Sequence, residues 1–156
     1  MEKHAYLIMA HTDWSLLNKI LLVLDDIRND IFIHIDRKAV FDKKEMYVPK
    51  YSKVRYIKRM HVTWGGDSQI KCELALLKAA VGGGYAYYHL ISGQDLPIKS
   101  QNEIHTFFKA NEGKNYIKID AKAMLDGYPL ERIREYHLFQ NMVGRKDGHW
   151  AGVLYR

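Results

Sequence analysis

The chain has 156 residues, 47% of them apolar and 27% charged, which fits one domain with a real core and excludes a disordered or collagen-like chain. Its net charge of +6 favours an anionic partner: a nucleotide phosphate, a nucleic acid or an acidic membrane surface. The single cysteine, Cys72, excludes an intrachain disulfide and a cysteine zinc site, and no stretch approaches the roughly 20 apolar residues of a membrane span. The N-terminus lacks signal-peptide architecture, so a reducing, cytoplasmic location is expected.

Taken in chain order, a first strand over residues 4–11, HAYLIMAH, runs into Thr12-Asp13. Asp13 can cap a helix over 14–28, in which Leu17, Ile20, Leu21, Leu24 and Ile27 recur as one apolar stripe. A second strand over 31–36 delivers Asp36, followed by Arg37 and Lys38, at its carboxyl end. Residues 37–52 are charged, contain Pro49, and read as a short helix or irregular turn. A third strand over 54–57 leads through Lys58 and Arg59 to Trp64-Gly65-Gly66. Asp67 or Ser68 then caps a second long helix, with Ile70, Leu74, Leu77 and Val81 as its expected buried face. Cys72, inside that helix, reads as a small buried hydrophobe. Gly82-Gly83-Gly84 ends the helix.

A fourth, buried strand spans 85–91, with Tyr87, His89 and Ile91 on one face and Tyr88 and Leu90 on the other. It runs straight into Ser92-Gly93-Gln94-Asp95-Leu96-Pro97. Ser100 and Glu103 form a capping box for a third helix, with Ile104, Phe107 and Phe108 facing inward and Gly113 closing it. A fifth strand is expected over 116–119, and beyond Asp120 the pattern weakens.

Strand–helix alternation implies a largely parallel sheet with helices on both faces. Ligands of such sheets bind in the crevice beyond the carboxyl ends of the strands. Carboxylates, an arginine and glycine turns gather at that edge, a pattern that suits a nucleotide with a charged phosphate tail. The 92–97 loop taken alone reads equally as a turn, since Gly, Asp and Pro are ordinary turn residues. No Asp-x-Asp triplet occurs in the chain. His34 and Asp36 share a strand face, but two ligands make a poor site for a hard cation, and a histidine packed in the sheet is the preferred reading.

Four segments, AYLIMAH, IFIHIDRK, RMHVTWGGDSQIKCELALLKAA and YYHLISGQDLPIKSQNEIHTFF, follow one another over about residues 5–108. Together they resemble the core-2/I-branching β-1,6-N-acetylglucosaminyltransferase family, which also contains the peptide O-xylosyltransferases. The resemblance implies a GT-A-like, Rossmann-type fold and an inverting transfer from a UDP-sugar without metal or other cofactor. N-acetylglucosamine is the leading donor sugar and xylose the runner-up. The acceptor is a glycan or lipid-linked saccharide hydroxyl, and a lipid-linked acceptor would bring the chain peripherally to the inner face of a membrane.

By the same resemblance, Ala10 lays its backbone against the uracil and Asp36 accepts hydrogen bonds from the uridine. Arg59 lies near the nucleotide, with Lys58 a weaker candidate, and Trp64 packs structurally beneath its turn. Ser92 and Asp95 match the family's Ser-Gly-x-Asp-x-Pro loop near the sugar-diphosphate side; for Asp95, capping the backbone around Pro97 is the alternative. In the family, the catalytic carboxylate and the cations that neutralise the diphosphate lie in the second half of the catalytic domain. The chain is accordingly expected to be one donor-binding domain that is C-terminally truncated, with 121–156 poorly defined. Among the late residues, Asp126, Glu131 and Glu135 are the carboxylates near a plausible acceptor side, and none is assigned as base. Residues 131–135 read as a salt-bridged helix turn, and Arg132, Arg134, Arg145 and Lys146 as a solvated charged face. A catalytically inert nucleotide-binding module on the same fold is the alternative to a transferase. A nucleic-acid binder ranks last, because the tyrosines fall mostly within strands.

Overall fold

The computed structural model describes residues 2–117. Its strands are β1 (His4–Ala10), β2 (Asn29–Ile35), β3 (Lys53–Tyr56) and β4 (Tyr87–Ser92), and its helices α1 (Trp14–Leu24), α2 (Asp67–Ala80) and α3 (Gln101–Ala110). All strand pairings are parallel, in the order β3-β2-β1-β4. β1 pairs with β2 from His4↔Asn29 to Ala10↔Ile35 and with β4 from His4↔Tyr87 to Met9↔Ser92. The two central strands are buried almost end to end, as parallel strands covered on both faces must be.

One face carries Tyr6, Ile8 and Ala10 of β1 and Ile31, Ile33 and Ile35 of β2 against Leu17, Ile20, Leu21 and Leu24 of α1. The other sets Ala5, Leu7 and Phe32 against Cys72, Leu76 and Ala80 of α2. This is the α/β, GT-A-like arrangement that the sequence resemblance implies. Tyr116 and Ile117 carry no strand. The remainder of the expected fifth strand, Asp126, Glu131, Glu135 and the late arginines lie outside the described residues.

The helices show how far periodicity reaches. Asp13 caps α1 as expected, accepting from Leu16 N at 3.0 Å. The helix stops at Leu24, four residues early, and Ile27 is exposed. The reason lies in the next segment: Asp25 accepts the backbone N–H groups of Lys50, Tyr51 and Ser52 at 2.7–2.9 Å, while Ser52 Oγ donates to Leu24 O. These contacts satisfy the helix end from outside and leave no reason to continue it. Residues 37–52 hold only a short 3-10 turn, Lys43–Glu45.

α2 corrects the expectation outright. Cys72, Leu76 and Ala80 face the sheet, whereas Ile70, Leu74, Leu77 and Val81 are 60, 58, 38 and 69% exposed. Its N-cap is Gly66 rather than Asp67 or Ser68. Ser68 Oγ instead accepts from Thr63 N at 2.8 Å, and Gln69 accepts from Gly65 N, so the preceding turn fixes the rotational phase of the helix. The small Cys72 and Ala80 allow close approach to the sheet. In α3 the Ser100–Glu103 capping box forms as expected, yet His105 is the buried residue and Phe107 is exposed. β4 is the last strand of the sheet among the described residues and is half-exposed, with Tyr88 and Leu90 open, rather than buried.

At the amino end of the sheet, His4, His89 and His105 gather between β1, β4 and α3. His4 and His89 share a hydrogen bond at 3.0 Å, and His4 stacks on His105 with centroids 4.0 Å apart. His105 Nε2–H donates to Asn29 Oδ1 at 2.9 Å. Burial, with lesser contributions from His105, His89 and Arg28, pulls His4 down to about 3; burial and then His105 pull His89 down to about 4. His105 is lowered by burial and Arg28 against the opposing pull of Asp26. A depressed folded value means that the unfolded chain binds more protons, so stability is complete above the ordinary value of 6.5 and falls as pH drops below it. Urea midpoints should therefore be flat from about pH 7 to 8 and fall between about 6.5 and 4.5, above the range where carboxylates titrate. A His89→Phe variant should flatten that slope.

Candidate active site

The carboxyl ends of β1, β2 and β4 come together because the pairing continues one step past the strands. Asp36 N donates to Ala10 O at 2.9 Å, and Gly93 N donates to Met9 O at 2.7 Å. A Cβ built on Gly93 would lie 2.6 Å from Ala10 Cβ, so the two backbones touch through the smallest side chains available. Ala10 is buried there, its carbonyl engaged by Asp36 and its methyl by Gly93. Sequence reading placed Gly93 in the binding loop, but its role as the close contact to β1 was not legible.

Asp36 is buried at the end of β2. Its Oδ1 accepts from Lys38 N at 2.8 Å and its Oδ2 from Val62 N at 3.3 Å, while Lys38 Nζ stands 4.0 Å from Oδ2 and donates to Val62 O at 2.8 Å. The carboxylate thus ties residues 36–38 to the segment that leaves β3. A carboxylate offers about four acceptor positions, so capacity remains for a ligand. His34, one pleat below, is buried and accepts from Met60 N through Nε2 at 3.0 Å. Burial lowers it, outweighing the opposing Asp36, and keeps the ring neutral with that lone pair engaged. The packed-histidine reading of His34 is the one observed.

Arg59 sits beside Asp36, where it clasps the loop. One guanidinium nitrogen donates to the carbonyls of Asp36 at 2.7 Å, Arg37 at 3.3 Å and Ala39. Its Nε is buried with no partner, a condition shared among the described residues only by Gln101 Nε2. An orphan buried donor calls for an acceptor. Lys58, Arg37 and Lys38 are exposed around this clasp. Trp64 is 61% exposed, so it does not pack beneath its turn; Gly65, at φ 75, makes the turn instead.

Ser92 and Asp95 form a self-contained loop at the end of β4. Asp95 Oδ2 accepts from Ser92 N at 2.7 Å, Asp95 N donates to Ser92 O at 3.1 Å, and Ser92 Oγ accepts from Gln94 N at 3.2 Å. The backbone-capping alternative for Asp95 is therefore the one seen, through Ser92 rather than through Pro97. The structure brings Ala10, Asp36, Arg59 and the Ser92 loop to one edge of the sheet. Such an edge can receive hydrogen-bond donors at Asp36 and an anionic group near the exposed cations.

The Gly93–Ala10 contact gives a direct check. Gly93→Ala should cost about 1–3 kcal/mol in urea unfolding, through overpacking. Adding Ala10→Gly in the same chain should recover much of that loss.

Comparison with known proteins bears on the whole described region. The sequence profile of the Core-2/I-Branching enzyme matches residues 4–151. The human N-acetyllactosaminide beta-1,6-N-acetylglucosaminyl-transferase is 26% identical over 151 residues, covering 93% of this chain and 36% of that protein. Xylosyltransferase 2 of Canis lupus familiaris is 24% identical over 121 residues, covering 73% of this chain and 14% of that protein. This chain therefore spans about a third or less of the length of these curated relatives. A match running from the first strand to near the last residue makes the chain a member of the core-2/I-branching enzyme family.

Proposed function

We propose that the chain binds the donor of a glycosyltransferase reaction: a UDP-sugar whose glycosyl group, N-acetylglucosamine before xylose, passes with inversion and without metal to a saccharide hydroxyl. The observation that carries this reading is the Asp36 carboxylate, buried at the carboxyl end of β2 beside Ala10 and bordered by Arg37, Lys38 and Arg59. Its remaining lone pairs suit the donor groups of a uridine, and the nearby cations suit a diphosphate. In the transfer, the acceptor oxygen attacks the anomeric carbon, the bond to UDP breaks, and the hydroxyl proton passes to a base. Positive charge stabilises the departing diphosphate. The names of the human and canine relatives support the choice of the two sugars. A cytoplasmic location, at the inner face of a membrane for a lipid-linked acceptor, accompanies this reading.

One observation favours a second reading, an inert nucleotide-binding module. Asp13, Asp36 and Asp95, three carboxylates at this edge, each accept a backbone N–H group. Each thus spends acceptor capacity on holding its own loop.

Calorimetric titration with UDP, UDP-N-acetylglucosamine and ADP, each with and without EDTA, tests the first reading. Uridine-selective, EDTA-resistant binding is expected. Asp36→Ala should weaken it about ten- to a hundred-fold, the loss of charged hydrogen bonds worth about 1.5–3 kcal/mol. Equal affinity for ADP, or none for any nucleotide, would sink it. Release of UDP from UDP-N-acetylglucosamine, with N-acetyllactosamine offered as acceptor, separates the transferase from the inert module.

A further inference from the structure

The charge of the chain is unevenly distributed. Residues 37–59 hold nine lysines and arginines against two carboxylates, a net charge of +7. Residues 2–36 hold three cations against six carboxylates, and residues 60–117 hold five of each. The basic excess of the described residues is therefore confined to one segment, the crossover that leaves β2 and the strand β3 it leads into. Eight of its nine cations, all but Arg59, are exposed. Among the described residues only Lys38 of the nine forms an ion pair, at 4.0 Å from Asp36.

The fold lays these groups along one edge of the sheet. Among the described residues β3 is hydrogen-bonded to β2 alone, and the crossover packs beside it, with Met46 buried in the core that Phe41, Val54 and Tyr56 adjoin. Lys43 stands 5.0 Å over the ring of Tyr56, on the α1 side of β3. Arg55, one position earlier in the strand, points to the other side, 5.5 Å over the ring of Phe32, and donates to Ala79 O of α2. Cations thus flank the edge from both sides. Lys50 and Lys53 lie toward its amino end, and Arg37, Lys38 and Lys58 at its carboxyl end, beside the Arg59 clasp. Three apolar side chains alternate with the cations of the crossover: Val40, Val48 and Tyr51 are 92, 83 and 55% exposed.

We infer that the β3 edge docks on an anionic membrane surface, its cations meeting lipid phosphates while Val40, Val48 and Tyr51 enter the headgroup layer. Charged residues on an edge strand discourage pairing with another chain, and Lys53 and Arg55 suffice for that. The other seven cations lie off the strand and add up to a field of one sign. An acidic leaflet attracts such a cluster, each basic residue near the surface adding about fivefold to affinity. The exposed apolar groups choose the occupant. A nucleic acid offers phosphates to the lysines but little to an aliphatic side chain, whereas a bilayer takes both, and a tyrosine suits the boundary between water and hydrocarbon. Docking by this edge also sets the carboxyl-end crevice beside the bilayer, because Arg37, Lys38 and Lys58 border both. This deepens the proposed function, and it rests on that reading only where a lipid-linked acceptor is concerned.

Sedimentation of the full 156-residue chain with vesicles tests it, using phosphatidylcholine alone and phosphatidylcholine with about 30% phosphatidylglycerol to supply a negative surface. Binding to the acidic vesicles only is expected, weakening as salt rises from about 0.05 to 0.5 M. Lys44→Ser, Lys50→Ser and Lys53→Ser together, all clear of the crevice, should weaken it about a hundred-fold. Lys78→Ser, Lys109→Ser and Lys114→Ser, the same change in charge made outside the segment, should cost less than about fivefold. Val40→Ser with Val48→Ser should weaken it about tenfold. No binding to acidic vesicles, equal losses in the two lysine triples, or no effect of the valine substitutions would overturn the inference. Tighter binding of a single-stranded oligonucleotide than of acidic vesicles would overturn it too, and would identify a nucleic acid as the partner. Uridine binding is titrated without vesicles, so this inference and the nucleotide reading fail separately.

Discussion

The parallel pairing of β1 on both of its sides is the constraint on which the rest of the molecule depends. A strand hydrogen-bonded to two neighbours and buried on both faces needs helices above and below, and α1 and α2 supply them. Parallel register also brings all carboxyl ends to one side. Ala10, Ile35 and Ser92 finish within one step of each other, so Asp36 and Gly93 can continue the ladder onto Ala10 and Met9. The crevice is therefore a consequence of strand direction before any functional side chain is considered.

What the side chains add is fixation. Asp36, Arg59, Lys38 and His34 all direct their polar groups at the backbone of the two segments that leave β2 and β3. Buried polar groups must find partners, and here the partners are loop amides and carbonyls that would otherwise be unsatisfied. The same logic operates at the opposite end of the sheet. There Asp25 gathers three consecutive amides, and Asn29 links Leu24, Gln101 and His105. A site held in this way keeps its acceptors oriented in the absence of ligand. Such preorganisation would reduce the ordering cost of binding the proposed donor.

α2 shows where reading the sequence ran out. Cys72, Leu76 and Ala80 recur every four residues, Ile70, Leu74, Leu77 and Val81 at intervals of four, three and four, and hydropathy favours the second set. The sheet nonetheless took Cys72, Leu76 and Ala80. Periodicity identifies an apolar face without saying which neighbour it meets. The phase was set in the first turn of the helix, where Ser68 and Gln69 hold the Thr63–Gly65 turn. Arg59 is a parallel case: its position beside Asp36 followed from the motif, but its engagement with loop carbonyls depended on how residues 36–39 fold back.

Local sequence by itself determined the alternation of strands and helices, the Asp13 cap, the Ser100–Glu103 capping box and the set of residues delivered to the strand ends. Each of these is governed by neighbours within about four positions, the range over which caps and periodicity act. Tertiary structure alone decided the strand order, the buried face of α2, the early end of α1 at Leu24 and the histidine cluster of His4, His89 and His105. Those features join residues far apart in the chain. Their partners become defined only when β1 takes its place between β2 and β4 and the unpaired polar and apolar groups that remain must be satisfied together.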